Sequence, residues 1–345
     1  MEKIRIGLIG AGGNTRNRHI PGFQAIEGVE IVCVANRSVE SGKKVAGEFG
    51  IGRVHGHWAD MIADSQVDAV CIGTWPHLHA AATCAALEAG KHVLCEARMA
   101  ANTDEARQML EAAQQSGLVA MLVPSPFGLK GDRVMRELIA AGYLGQVREL
   151  YVRALSGGLI DASTPLHWRQ REDLSGVNIM ALGILNETVQ RWFGRTESVT
   201  AQTSLFVPRR PDAKTGDLQD VDIPDSLAVA ARMATGAQCV YHLSGHAPHG
   251  GGMRLEAYGS EGALIYDFGD DTIMGAKVRD KQLSPIDIPA GKAGGWRVEE
   301  DFVEAIRNGR PVTMTSFADG LKYMQFTEAV RVSADQGRRV SLSEV

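Results

Sequence analysis

Gly10, Gly12 and Gly13 stand in the run Gly10-Ala11-Gly12-Gly13-Asn14-Thr15, directly after the apolar stretch Ile4–Ile9. A strand that ends this way can turn tightly at Gly10 and bring its backbone against a pyrophosphate at Gly12, because neither residue carries a Cβ. Asn14 and Thr15 continue the loop, and Thr15 takes the place of the third glycine of the usual pattern. A second group, Asn36-Arg37-Ser38, closes the next apolar run. A carboxylate at that point would grip an adenosine ribose. Asn36 replaces it, and Arg37 with Ser38 offers a cation and a hydroxyl to a 2′-phosphate, so NADP is favoured over NAD. The alternative for Arg37 is a solvated charge after a strand. A third group is His167-Trp168-Arg169, in which His167 titrates near working pH and could carry a proton. His242, His246 and His249 have spacings of x3 and x2, with no cysteine or acid to complete a ligand set, so no metal is expected.

These groups need elements to hold them. Apolar runs at Ile4–Ile9, Glu30–Ala35, Asp68–Ile72, His92–Cys95 and Leu118–Val123 alternate with helical patterns at Val39–Phe49, Leu78–Ala89 and Asp104–Gln115. A weaker strand near Arg53–His55 makes six. Such alternation predicts a doubly wound parallel sheet with helices on both faces. Thr74, Trp75 and His79 then follow the carboxyl end of the fourth strand, where open α/β sheets bind ligands, and are expected to line a cofactor cleft. After about Pro124 the rhythm changes to a helix at Leu129–Ala141, a strand at Val147–Ala154 and a long helix at about Asp173–Phe193. Consecutive strands follow up to Phe268, and two helices end the chain. That order reads as α+β. Domains of 1–124 and 125–345 are predicted, with Pro208–Pro224 as a mobile surface loop.

The chain has 345 residues, enough for two domains with cores of their own. Its 36 basic and 41 acidic residues are spread evenly, with 11 against 13 up to residue 125, so no basic domain exists to bind nucleic acid. No apolar run approaches the roughly 18 residues needed to cross a bilayer. Five cysteines without a CxxC pair read as reduced thiols, and the expected location is the cytoplasm.

Longer stretches carry a family resemblance. Val67-Asp68-Ala69-Val70, Thr74-Trp75-Pro76-His77-Leu78-His79, Ala86 to Glu96, Gly259-Ser260-Glu261-Gly262-Ala263-Leu264 and the ending from Phe302 to Leu321 together resemble the Gfo/Idh/MocA family of glucose–fructose oxidoreductase and inositol dehydrogenase. The resemblance implies a Rossmann domain, a C-terminal open-faced and mainly antiparallel sheet, and a nicotinamide cofactor. It also implies sugar or cyclitol alcohols and carbonyls as small-molecule substrates, and a homo-oligomer (dimer or tetramer).

The resemblance breaks at the centre. Members usually follow the fifth strand with Glu-Lys-Pro; here Glu96 is kept on the cofactor side, but Ala97 and Arg98 replace the lysine and proline. Arg98 is either a structural cation or an anion- and substrate-binding group, since guanidinium cannot exchange protons near neutrality. Aligned on Gly183, the family's helical Asp and His fall on Ala181 and Leu185. Asn178 shares that predicted helical face and could orient a hydroxyl, with Asn186 at its edge. Glu187 is expected to pair with Arg191 at i+4. The family often places a tryptophan beside the nicotinamide, which points to Trp168, with His167 for the proton and Arg169 toward substrate. Ser125 and Phe127 are expected to face the cleft. Acid–base help is worth about 10²–10⁴-fold in rate, so losing it leaves two further readings open: a nucleotide-binding sensor without turnover, or a lyase or glycosidase that borrows and returns a hydride.

Overall fold

The computed structural model describes residues 3–124 and 128–345, which form two compact units. Residues 1–124 with 297–321 make the first, and 125–296 with 322–345 make the second.

In the first unit, β1 (Ile4–Ile9), β2 (Val29–Ala35), β3 (Arg53–His55), β4 (Ala69–Ile72), β5 (His92–Cys95) and β6 (Ala120–Leu122) form one sheet. The order is β3-β2-β1-β4-β5-β6, and every neighbouring pair is parallel. Crossovers run through α1 (Ile20–Gln24), α2 (Val39–Phe49), α3 (Trp58–Ile62), α4 (Pro76–Glu88) and α5 (Thr103–Ser116). A π-helical turn at Thr15–His19 leads from the glycine loop into α1. All four residues of β4 are buried, as expected of a strand covered on both faces. Asp68, just ahead of β4, takes a bidentate hydrogen bond from Arg5 on β1, with Nε at 2.8 Å and Nη2 at 2.6 Å. The strand order reverses between β1 and β4, which opens a crevice at their carboxyl ends.

The predicted division after residue 124 gave the whole tail to the second domain, and here the structure differs. The helix Val298–Asn308 packs within the first unit, burying Val298, Phe302 and Val303. Phe302 meets Phe23 edge-on, with ring centroids 6.4 Å apart. Periodicity reveals an apolar stripe but not the surface that receives it.

The second unit contains α6 (Asp132–Ala140), β7 (Val147–Leu155), α7 (Glu172–Ser175), α8 (Leu182–Phe193), β8 (Thr196–Ser204), β9 (Arg209–Pro211) and β10 (Leu218–Asp220). Then come β11 (Ser226–Met233), β12 (Gln238–Ser244), β13 (Gly252–Gly259), β14 (Gly262–Asp267), β15 (Thr272–Lys277) and β16 (Ser284–Ile286). Part of the helix Phe317–Gln336 and β17 (Val340–Ser341) complete the unit. Nine of these strands form a sheet in the order β16-β15-β14-β13-β7-β12-β11-β8-β17, antiparallel except where β7 meets β12. Alternate residues of β11 and β12 are buried, and their inward side chains share a core with Leu182, Leu185, Val189 and Phe326. Tyr151, Val240 and Met253 are exposed.

Two expectations fail in this unit. The long helix predicted over Asp173–Phe193 is broken: α7 ends at Gly176, whose φ is 61°, and α8 begins only at Leu182, after Met180 at φ 47°. Helical periodicity continued through the break because the apolar residues Val177, Ile179 and Met180 fill it. The stretch 208–224 is also not an unstructured loop. It carries the β9–β10 hairpin, and Arg210 is fully buried there. Its Nη1 donates to the carbonyls of Asp161 at 2.7 Å and Thr164 at 3.3 Å, and Nη2 donates to that of Leu159 at 2.5 Å. A buried guanidinium whose charge is met by three carbonyls pins the segment 159–164. Arg210→Ala strands those carbonyls and should cost about 2–4 kcal/mol in urea unfolding, with early proteolytic nicking in 156–224. Wild-type-like stability and protease resistance would show that the hairpin holds itself.

Candidate functional site

The glycine loop leaves β1 at the crevice. Gly10 has φ 82°, and a Cβ there would lie 2.6 Å from Thr74 Cγ2 and 3.0 Å from the Gly73 carbonyl, so only glycine fits. Gly12 and Gly13 are exposed, and a Cβ on either would meet nothing closer than the Gly73 carbonyl, 3.8 Å from Gly12. They keep room clear on the open side of the loop, which is what a pyrophosphate requires. Thr15 is buried, and its hydroxyl donates to the Gly10 carbonyl at 3.3 Å. It stands where a third glycine would normally let helix and strand approach. Here the missing side chain is on the opposite partner, since a Cβ on Gly73 would collide with Thr15 Oγ1 and lie 2.8 Å from the Gly10 carbonyl. The Thr15 side chain thus packs between the loop and the turn after β4.

A cleft of about 500 Å³ adjoins this loop, lined among others by Gly10, Gly12, Asn36, Arg37, Thr74 and Trp75. The Arg37 guanidinium lies over the Trp75 ring, 5.8 Å from its centroid. Asn36 Oδ1 accepts from the Ala11 N–H at 3.2 Å and so ties the loop to the end of β2. Ser38 does not line the cleft. Its hydroxyl caps α2 by accepting from the Ser41 N–H at 3.2 Å, and Ser41 lines the cleft instead. Sequence reasoning missed His57, Trp58 and His77, which also line it; their only signal was position just after β3 and β4.

His79 does not reach the cleft. It is fully buried in α4, with Nδ1 2.9 Å from the Arg98 carbonyl and Nε2 3.2 Å from the Thr74 carbonyl. Burial lowers its pKa while the facing carbonyls act to raise it, and the ring sits between the turns after β4 and β5. Arg98 is itself only 5% exposed, which disfavours it as an open anion site.

Glu96, at the end of β5, accepts from Asn14 Nδ2 and from the Ala97 N–H at 3.1 Å. His19 lies behind it, fully buried, with Nε2 3.1 Å from Glu96 and Nδ1 2.5 Å from the buried Glu299. Burial pushes the Glu96 carboxyl up, but the hydrogen bond and charge of His19 prevail and hold it below the usual range. Neither His19 nor Glu299 was legible as a site residue. They are 280 positions apart and belong to no shared motif.

Residues 4–123 match a family model described as an oxidoreductase family with an NAD-binding Rossmann fold, and residues 133–265 match the GFO/IDH/MocA C-terminal domain. The chain belongs to the Gfo/Idh/MocA oxidoreductase family. A levoglucosan dehydrogenase of Pseudarthrobacter phenanthrenivorans is 26% identical over 100% of both chains. A dTDP-3,4-didehydro-2,6-dideoxy-alpha-D-glucose 3-reductase of Streptomyces violaceoruber is 32% identical over 77% of this chain and 73% of its own. The fold is shared with a solved levoglucosan dehydrogenase in complex with NADH and levoglucosan, at TM-score 0.87 and 24% identity over 99% of this chain and 100% of that one. Membership makes this chain an NAD(P)-dependent oxidoreductase with an NAD-binding fold.

The remaining candidates lie in the second unit. His167 is exposed and its Nδ1 accepts from the Arg169 N–H at 3.2 Å. Arg169 stacks on Trp168, 4.4 Å from the ring centroid. Asn178 lies in the break before α8, buried, with Nδ2 donating to the Ser175 carbonyl at 2.6 Å; it shares no helical face with Leu185. Asn186 is also no surface group. It is fully buried, donates to Tyr241 Oη at 3.0 Å and accepts from Gln190 at 2.5 Å. Leu185 is buried in the core. Glu187 pairs with Arg191 at 3.3 Å, and Arg191 reaches Asp132 at 3.2 Å, a structural network as expected. Ser125 and Phe127 lie outside the described residues.

Of the three histidines considered for metal, His246 is paired with Asp225 at 2.9 Å. Among the described residues, Cys33, His55 and Asp64 bring three ligand atoms within 4.8 Å, and Arg53 already occupies the Asp64 carboxylate.

The interlock of Gly73 with Thr15 yields a quantitative test. Gly73→Ala should lower stability by about 1–3 kcal/mol, and adding Thr15→Ala should recover part of it, with a coupling above about 0.5 kcal/mol in a double-mutant cycle. Strict additivity would show that the two positions do not meet.

Proposed function

We propose that this protein oxidises or reduces a polar small molecule, a sugar- or cyclitol-like alcohol or carbonyl, with NADP favoured over NAD and with an unusual catalytic site. The observation that carries this reading is the open Gly12–Gly13 side of a loop fixed by Gly10, beside a cleft that holds Arg37 over Trp75. The loop backbone and Asn14 would take the pyrophosphate. Arg37, with Ser41 nearby and no carboxylate at position 36, would take a 2′-phosphate. Thr74, Trp75 and Glu96 would complete the cofactor side. When bound, the nicotinamide supplies or accepts the hydride.

Ala97, Ala181 and Leu185 cannot exchange protons, so the proton passes through His167, a water or the substrate itself. Trp168 and Arg169, stacked beside His167, offer an apolar face and a cation to a polar substrate. The relatives' names support the substrate class: levoglucosan, 1,5-anhydro-D-fructose and inositols are all polyhydroxylated rings. Five unpaired thiols support a cytoplasmic location, and among the described residues no helix is long and apolar enough to cross a membrane. The exposed Tyr151, Val240 and Met253 support a homo-oligomer, dimer or tetramer, through the open sheet face.

Fluorescence titration with NADH and NADPH, followed by turnover on a panel of sugars, anhydrosugars and cyclitols, tests the reading. NADPH is expected to bind more tightly, and Arg37→Ala should weaken NADPH about tenfold more than NADH. An equal loss for both would remove the case for NADP. His167→Gln should lower kcat by about 10²-fold or more with dinucleotide affinity unchanged. Tight dinucleotide binding with no turnover across the panel would instead mark a sensor.

A further inference from the structure

We propose that His19, held between Glu299 and Glu96, is a positioning residue for dinucleotide binding: it orients the Glu96 carboxylate, which holds Asn14 and with it the glycine loop. The inference rests on the reading that this loop takes a dinucleotide, and it adds the charged chain behind it.

The geometry is continuous. Glu299 meets His19 Nδ1 at 2.5 Å, His19 Nε2 meets Glu96 at 3.1 Å, and Glu96 accepts from Asn14 Nδ2. His19 and Glu299 are both fully buried, so neither can exchange its partner for water. Glu96 is 13% exposed at its side chain, and Asn14 is half-buried beside exposed Gly13. The chain thus runs from the interior to the open side of the loop. Glu299 also sits against α1, where a Cβ on Gly22 would fall 2.5 Å from its Oε2, so the helix backbone closes over the carboxylate.

An anionic Glu96 beside a pyrophosphate is electrostatically unfavourable unless a fixed cation compensates it. His19 is that cation. Other titratable groups near the two carboxylates include Cys71 on β4, Cys95 on β5 and His79 on α4. Burial pushes both thiols up, which keeps them neutral, and lowers the pKa of His79. Burial likewise opposes charge on His19, but the hydrogen bonds to Glu299 and Glu96 outweigh it and raise its pKa to about 9. A raised imidazole pKa means the arrangement is intact at neutral pH and is lost as pH rises through about 9. With His19 neutral, its positive charge is gone and its single remaining N–H serves only one of the two carboxylates, so Glu96 and the Asn14 it holds are less firmly placed.

The experiment measures NADH and NADPH affinity by fluorescence from about pH 7 to about pH 10, and follows the His19 ring by NMR in the dinucleotide-free protein. Wild-type affinity should fall about tenfold or more along an alkaline limb whose midpoint matches the His19 titration. Glu299→Gln should lower the His19 pKa by about one unit or more and move the binding limb down with it. Asn14→Ala, on the loop surface, should weaken binding about tenfold and flatten the limb while the His19 titration stays in place. A limb that stays put when the His19 titration moves, or a wild-type limb that does not coincide with it, overturns the proposal. If Glu299→Gln does not fold, the wild-type and Asn14→Ala titrations still decide. Failure of the wild-type protein to bind either dinucleotide at any pH overturns the cofactor reading itself, whatever His19 does.

Discussion

Two stretches of backbone, the turn after β1 and the turn after β4, come together here without side chains between them. Gly10 and Gly73 face each other across that contact, with the side chains of Thr15 and Thr74 at its edge. Close-packed interiors tolerate little change of volume at such a point. The approach sets the mouth of the crevice, because the strand ends flanking a reversal of strand order are where a ligand can enter. From it follow the left-handed Gly10, the hydrogen bond from Ala11 to Asn36 and the reach of Asn14 to Glu96. Each is a short-range consequence of the same separation.

Most of the first unit was legible because its signals are local. Strand β4, with Ala69, Val70, Cys71 and Ile72 all buried, reads from four letters. The loop Gly10–Thr15 was legible for the same reason, and so was the pairing of Glu187 with Arg191. What failed depended on backbone or distance. Left-handed Met180 and Gly176 end a helix whose apolar spacing runs on, so Asn178 lost its predicted face. His79 is a residue type that often lines clefts, but its ring is buried against backbone carbonyls in the interior. Asn186 is likewise buried, and donates to Tyr241. Polar type alone does not separate a side chain that greets a ligand from one that completes a core.

The two units use buried charge in similar ways. In the first, His19 lies between two carboxylates; in the second, Asp132 receives Trp192 Nε1 at 2.8 Å and Arg136 Nε at 2.9 Å while Arg191 approaches from α8. In each, a charge removed from water is matched from more than one element, so helices from different parts of the chain are held in one register. Truncating a single partner leaves the other charge buried and unmatched, which is the costly case.

The return of residues 297–321 to the first unit has a consequence for how the chain is made. Glu299 is needed to complete the surroundings of His19, yet it is translated only after all of residues 125–296. At about 5–20 residues per second, that interval is on the order of ten to thirty seconds. During it the nascent first unit has strands β1–β6 but a buried imidazole without one of its two carboxylates. The first unit is therefore the first to emerge, yet it stays incomplete until residues 297–321 arrive, only just before residues 322–345 complete the second.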